Sequence, residues 1–187
     1  MAKAPTSYIA TAGAARTRTA DSLTFPLATR PQAMTLYLRF VELSNPAASL
    51  PTWPLAERLF RVGGTSNPGW DIYRSATAYV CSANNGVTQV NTSVSAATVS
   101  TGDLVEIAAT LTTTGVVQIF LSVNGGSLIS GTASSALAMP AAWFYARIDV
   151  GALTGTLSAG PVGVRDLLLV RGVHSLAAMR VRIGLTP

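Results

Sequence analysis

The sequence predicts an antiparallel β-sandwich or jelly roll, on three observations. Apolar and polar residues alternate with a period of two in one short segment after another. Those segments are closely spaced and joined by residues with turn chemistry. A 3.6-residue apolar stripe is missing almost everywhere, so helices contribute little to the core. A length of 187 residues suits one domain that buries a substantial core without disulfides or metals.

Taken along the chain, "MTLYLRF" places Met34, Leu36, Leu38 and Phe40 on one face and Thr35, Tyr37 and Arg39 on the other, the pattern of a half-buried strand. "RLFRV", "WDIYR" and "TAYVCSA" are shorter strands separated by Gly, Asn and Pro. "TSVSAATVSTG" reads as an exposed strand and loop. "LVEIAATL" lines up Val105, Ile107, Ala109 and Leu111, and after the turn "TTTG" the segment "VVQIFLSV" does the same with Val117, Ile119, Leu121 and Val123. "NGG" at Asn124 to Gly126 tolerates positive φ and turns the chain back toward "SLIS". "AWFYARIDV" and "VGVRDLLLV" supply two further strands. The one helix expected is short, capped by Ser175 and running from Leu176 to about Arg182, with Arg180 and Arg182 where the helix dipole favours cations.

Hydrophobic residues make up 49% and charged residues 11% of the chain, with a mean hydropathy of +0.40. Yet the longest apolar stretches fall well short of the roughly 18–20 residues that span a bilayer, so no membrane segment is expected. The opening residues hold Lys3 and Pro5 where a secretory signal would have an apolar run, and no export signal is read there. The lone Cys81 reads as a small buried hydrophobe. A net charge of +5 raises nucleic acid as a partner, but the arginines are scattered without a dense run, and no nucleic-acid surface is expected.

Catalytic chemistry finds little to use. Asp103 and Glu106 are the close acidic pair, and their odd spacing sends the side chains to opposite strand faces. His174 stands alone, without a recognisable Ser or Cys nucleophile motif, and reads as a cap or surface residue. One His and one Cys do not make a transition-metal site. Asp71, beside "GGTSNPGW", is the best candidate for a calcium ligand, but a lone acid is too little for a cation that takes about six to eight oxygens. No enzyme activity, metal or cofactor is expected. Aromatic residues offer platforms for sugar rings, and Trp53, Trp70 and Tyr73 are the candidate glycan-binding residues, with Tyr79, Trp143 and Tyr145 also considered. The "NTS" at Asn91 to Ser93 fits a glycosylation sequon and is read as chance.

The succession "TGDLVEIAATLTTTGVVQIFLSVNGG", "AWFYARIDVG", "GPVGVRDLLLVRGVHSLAAMR" resembles the second half of concanavalin A-like, laminin-G-like jelly rolls, and the likeness covers about residues 34–182. Glucanases of that class carry an "ExDxE" strand, and this chain has none. Residues 7–25, "SYIATAGAARTRTADSLTF", resemble a lead-in "SYIPTxGxxxTRaaD" found ahead of such domains in bacteriophage particle proteins; Ala10 replaces the proline and Thr19 an alanine. The resemblance implies a non-enzymatic structural component of the virion, a head decoration or a tail-associated protein, with major capsid or tail proteins and further copies of itself as partners. A glycan-binding module of the adsorption apparatus, recognising host surface glycans, is the alternative. Residues 7–21 carry neither strand nor helix periodicity, so residues 1–20 are expected to form an extended assembly arm ahead of a sandwich domain at 21–187. Its expected assembly contacts are Tyr8, Ile9, Arg16, Arg18 and Asp21.

Overall fold

Alternating strands with one apolar face bury it by stacking sheet on sheet, and that is the architecture found. The computed structural model describes residues 21–26, 33–43, 45, 57–63, 68–139, 145–150, 152–153 and 162–185, with the backbone alone at 21–26, 57, 145–150, 152–153 and 162. One sheet has seven strands, in the order β1 (Asp21–Pro26), β10 (Tyr145–Val150), β3 (Glu57–Gly63), β4 (Gly69–Arg74), β5 (Ala78–Asn84) and β6 (Gln89–Ser95), with β11 (Ala152–Leu153) also paired to β3. The other has five, in the order β12 (Val162–Arg171), β2 (Met34–Glu42), β7 (Leu104–Leu111), β8 (Val117–Val123) and β9 (Ile129–Ser130). Every pairing is antiparallel. A single helix among the described residues, α1 (Leu176–Arg182), follows β12. It is too short to cross a membrane, and no helix among the described residues is long and apolar enough to do so.

The period-2 reading places the core correctly. Met34, Leu36, Leu38 and Phe40 from β2, Val105, Ile107, Ala109 and Leu111 from β7, and Val117, Ile119 and Leu121 from β8 all sit between the sheets. Facing them from the larger sheet are Phe60, Val62, Trp70, Ile72, Tyr79 and Cys81. The NGG turn forms as expected. Asn124 and Gly125 both take positive φ, Gly126 N–H closes the turn on the Val123 carbonyl at 2.9 Å, and β9 returns beside β8. Gly115 is required by a close approach: its φ is +76°, and a Cβ there would lie 1.8 Å from the Leu137 carbonyl oxygen.

Two features depart from the half-buried strand. The outer face of β2 is buried as well, with Thr35 and Tyr37 both inaccessible. The cause is α1, which lays Leu176 and Met179 on Tyr37 and Ala108 as a second small core. Ser175 caps this helix, its hydroxyl accepting from the Ala178 N–H at 3.2 Å. His174, just before the cap, donates its backbone N–H to Thr35 Oγ1 at 2.9 Å, and its ring Nε2 lies 2.8 Å from the Arg171 carbonyl. The second departure is Trp70. Its side chain is fully buried, edge-on to Phe60 with ring centroids 6.3 Å apart, and its indole N–H donates to Cys81 Sγ at 3.0 Å.

Burial also sets the alkaline limit of the fold. It pushes the Tyr37 hydroxyl, with Glu106 beside it, and the Cys81 thiol each up to about 12, and lifts Tyr79 well above the usual phenol value. In each case the folded state keeps a proton that the unfolded chain gives up first. Their stabilisation is therefore intact below about pH 9 and is lost as pH rises toward 12, at up to about 1.4 kcal/mol per pH unit per group. Urea midpoints are expected to be flat through neutral pH and to fall steeply above pH 9–10. The Tyr37 hydroxyl has no hydrogen-bond partner among the described residues. Tyr37→Phe is accordingly expected to gain about 1 kcal/mol at neutral pH and to soften the alkaline fall.

Candidate binding face

The outer face of the seven-stranded sheet carries a cluster that the strand alternation of the sequence hides. Arg58 and Arg61 stand three positions apart on β3, a spacing that puts side chains on opposite faces of a regular strand. The pairing of β3 with β4 shifts between Arg58 and Phe60, leaving Leu59 as an extra residue that turns into the core. This bulge brings both arginines to the outer face, Arg58 opposite Tyr73 and Arg61 opposite Asp71.

Asp71 lies between them. Arg58 Nε is 2.8 Å from Asp71 Oδ1, and Arg61 Nη1 donates to Oδ1 and Oδ2, both at 3.0 Å. The Arg61 guanidinium lies over Gly69, where a Cβ would meet Nη2 at 2.7 Å, so the glycine makes room for it. Arg58 also covers the Tyr73 ring, 5.4 Å from its centroid, and donates to the Tyr73 hydroxyl at 3.2 Å. Burial, reinforced by Asp71 and opposed by Arg58, holds the Tyr73 hydroxyl above the usual phenol value, so it stays a donor at neutral pH. The Arg61 and Asp71 side chains are 4% and 3% exposed, whereas that of Arg58 is 19% exposed. The cluster thus places a partly exposed guanidinium over an aromatic ring, backed by a buried ion pair. Chemically this is a platform for a polar ligand with hydroxyl or anionic oxygens and a flat face.

Of the residues expected to bind glycan, Tyr73 falls on this face and Trp70 does not. The sequence reading of Trp70 as a platform is corrected by its complete burial, which leaves no ring face for a sugar. Trp53 and Trp143 lie outside the described residues, the Tyr145 side chain does too, and Tyr79 is in the core. Of the expected assembly contacts, Tyr8, Ile9, Arg16 and Arg18 lie outside the described residues, and Asp21 opens β1, its backbone opposite Val150. Asp71 is held by two arginines, and no group of three or more His, Cys, Asp or Glu able to hold a metal ion occurs among the described residues. Arg58 and Arg61 were missed by sequence reasoning. The signal was there in "RLFRV", two arginines flanking an apolar pair too short to restore the alternation, which is what a bulged strand looks like.

No protein-family model matches the chain, and no curated protein does. Solved structures do. Domains LG4-5 of the mouse laminin α1 chain superpose with a TM-score of 0.54 at 14% identity over 79% of this chain and 38% of that one. The LG1-3 region of the laminin α2 chain gives 0.54 at 10% identity over 81% of this chain and 30% of that one. The chain therefore spans well under half the length of either laminin fragment. What these likenesses establish is the fold, a laminin-G-like β-sandwich.

Proposed function

We propose that this chain is a non-enzymatic binding domain whose contact face is the outer face of the seven-stranded sheet around Arg58 and Tyr73. The observation that carries the reading is the use made of its carboxylates. Glu42 pairs with Arg74, Asp71 with Arg58 and Arg61, Glu106 with Arg180, and Asp166 with Arg39, while Asp103 accepts from the Ser100 N–H and the Asn124 side chain. Every acid whose side chain is described is thus committed to holding the fold, which favours recognition over acid–base chemistry. The particle role follows from the lead-in resemblance of residues 7–25: the domain is a structural component of a bacteriophage virion, present in several copies on the head or tail and in contact with capsid or tail proteins. Gold labelling and quantitative mass spectrometry of purified particles test it. Stoichiometric label on head or tail is the expected result, and absence from particles overturns it.

A second reading, recognition of host surface glycans, has Tyr73 and its stacked guanidinium in its favour. Under it, Tyr73→Ala and Arg58→Ala are each expected to weaken binding to host polysaccharide by about 10-fold or more, the loss of roughly 1.4 kcal/mol or more at a stacked contact, with the unfolding midpoint little changed. Equal binding by wild type and both variants on a glycan array rules it out.

A further inference from the structure

Asn followed by Gly occurs twice in turns of this protein, at Asn85–Gly86 and Asn124–Gly125, and the fold treats the two differently. We infer that Asn85 is a site of self-modification, its side-chain amide being lost by attack of its own backbone, and that Asn124 is protected from the same reaction. In this chemistry the Gly nitrogen gives its proton to solvent hydroxide and forms a bond to the preceding Asn Cγ. A negative charge develops on Oδ1, the Cγ–Nδ2 bond breaks, and the amide nitrogen takes up a proton and leaves as ammonia. Water then opens the five-membered imide to aspartate or isoaspartate, so the net change is water in and ammonia out.

The β5–β6 hairpin is built to favour these steps. Oδ1 of Asn85 accepts two backbone N–H bonds, from Val87 at 3.0 Å and Thr88 at 2.8 Å, which polarise the carbonyl and meet the charge that develops there as an oxyanion hole would. Gly86 is exposed to solvent hydroxide, although its N–H is held by Asn84 Oδ1 at 2.7 Å and must leave that acceptor before the proton is lost. Gly86 carries no Cβ to obstruct ring closure.

Asn124 differs in the charge its amide nitrogen meets, a carboxylate where Asn85 has the neutral Ala138 carbonyl. Its Nδ2 donates to the Asp103 carboxylate at 2.7 Å, which feeds electron density into the amide and sets a negative charge beside the atom that must be attacked. Its Oδ1 accepts one backbone N–H, from Leu104 at 2.8 Å, and its φ of 52° is fixed by the turn. Conversion at Asn85 also has a structural consequence. Nδ2 of Asn85 donates to the Ala138 carbonyl at 3.1 Å, and the product places a carboxylate where that donor was, loosening the tie between the hairpin and residues 131–139.

The test is to hold the folded protein at mildly alkaline pH and physiological temperature and follow both sites by peptide mass spectrometry, with a parallel sample in urea. Asn85 is expected to convert at least about tenfold faster than Asn124 in the folded protein, well within what two oxyanion donors can supply, and the two rates are expected to converge in urea. Asn124 converting as fast as Asn85 when folded overturns the inference, and so does a preference for Asn85 that survives in urea, since the local sequence would then account for it. Asn84→Ala, which frees the Gly86 N–H, is expected to speed Asn85 further; a slower rate overturns the inference that the Gly86 nitrogen is the attacking atom in this hairpin.

Discussion

Glu42→Gln or Arg74→Met is expected to destabilise the domain by about 3–5 kcal/mol, enough to unfold most of a marginal protein at 37 °C. Glu42 ends β2 and Arg74 ends β4, on opposite sheets, and both side chains are fully inaccessible. Their ion pair, Arg74 Nη1 to Glu42 Oε1, crosses the interior, and the Tyr79 hydroxyl donates to the other carboxylate oxygen at 3.3 Å. The Glu42 backbone is also bound on both sides, its N–H to the Asp103 carbonyl at 2.9 Å and its carbonyl to the Gly102 N–H at 2.7 Å. Removing one charge takes a counter-ion from the other at a fully buried position, and that desolvation penalty dominates the loss. The double variant Glu42→Leu with Arg74→Met is therefore expected to recover more than half of what either single change costs, because two apolar chains need no counter-ion. Urea unfolding of the two singles and the double measures this. Additive losses in the double variant would show that the pair contributes packing and not charge balance.

Trp70→Ala is expected to cost about 3–5 kcal/mol, the range for emptying a large aromatic from a close-packed core. The indole fills the space between Phe60 and Cys81 and gives up its one N–H to the sulfur, so the substitution leaves both a cavity and an unpartnered thiol. Trp70→Phe keeps much of the volume and is expected to cost about half as much. The comparison with Tyr73→Ala is informative because the residues are three apart on one short strand, one facing in and one facing out. Thermal unfolding is expected to move strongly for Trp70→Ala and by about 1 kcal/mol or less for Tyr73→Ala. A small effect at Trp70 would contradict the core packing.

What sequence alone could reveal was governed by locality. Alternation in β2, β7 and β8 and the Asn-Gly turn are local patterns, and each landed in its place, as did the Ser175 cap of α1. The burial of Tyr37 was not visible, because it depends on a helix that returns from more than a hundred residues away to cover the far side of the sheet. The Glu42–Arg74 pair was hidden likewise: the partners are 32 residues apart on different sheets, and nothing local marks either as interior. Trp70 misled for a different reason. It was grouped with the aromatic platforms by residue type alone, yet it is the first inward residue of β4. At the candidate face, Tyr73 was named from its residue type without its face being assigned, while Arg58 and Arg61 were not recognised as companions because their spacing violates strand parity.

That violation reaches beyond this one face. A β-strand is a two-state counter, and the extra residue at Leu59 resets it: everything before the bulge is out of phase with everything after it. Loss of that single residue in a related chain would leave the two arginines two positions apart on a regular strand, both still outward and the guanidinium still over Tyr73. Sequence comparison that scores each position by its chemistry would register a gap between the arginines, yet the outer face would be the same. Relatives that keep this face are best recognised by two arginines with one residue between them on a regular strand, or two on a bulged one.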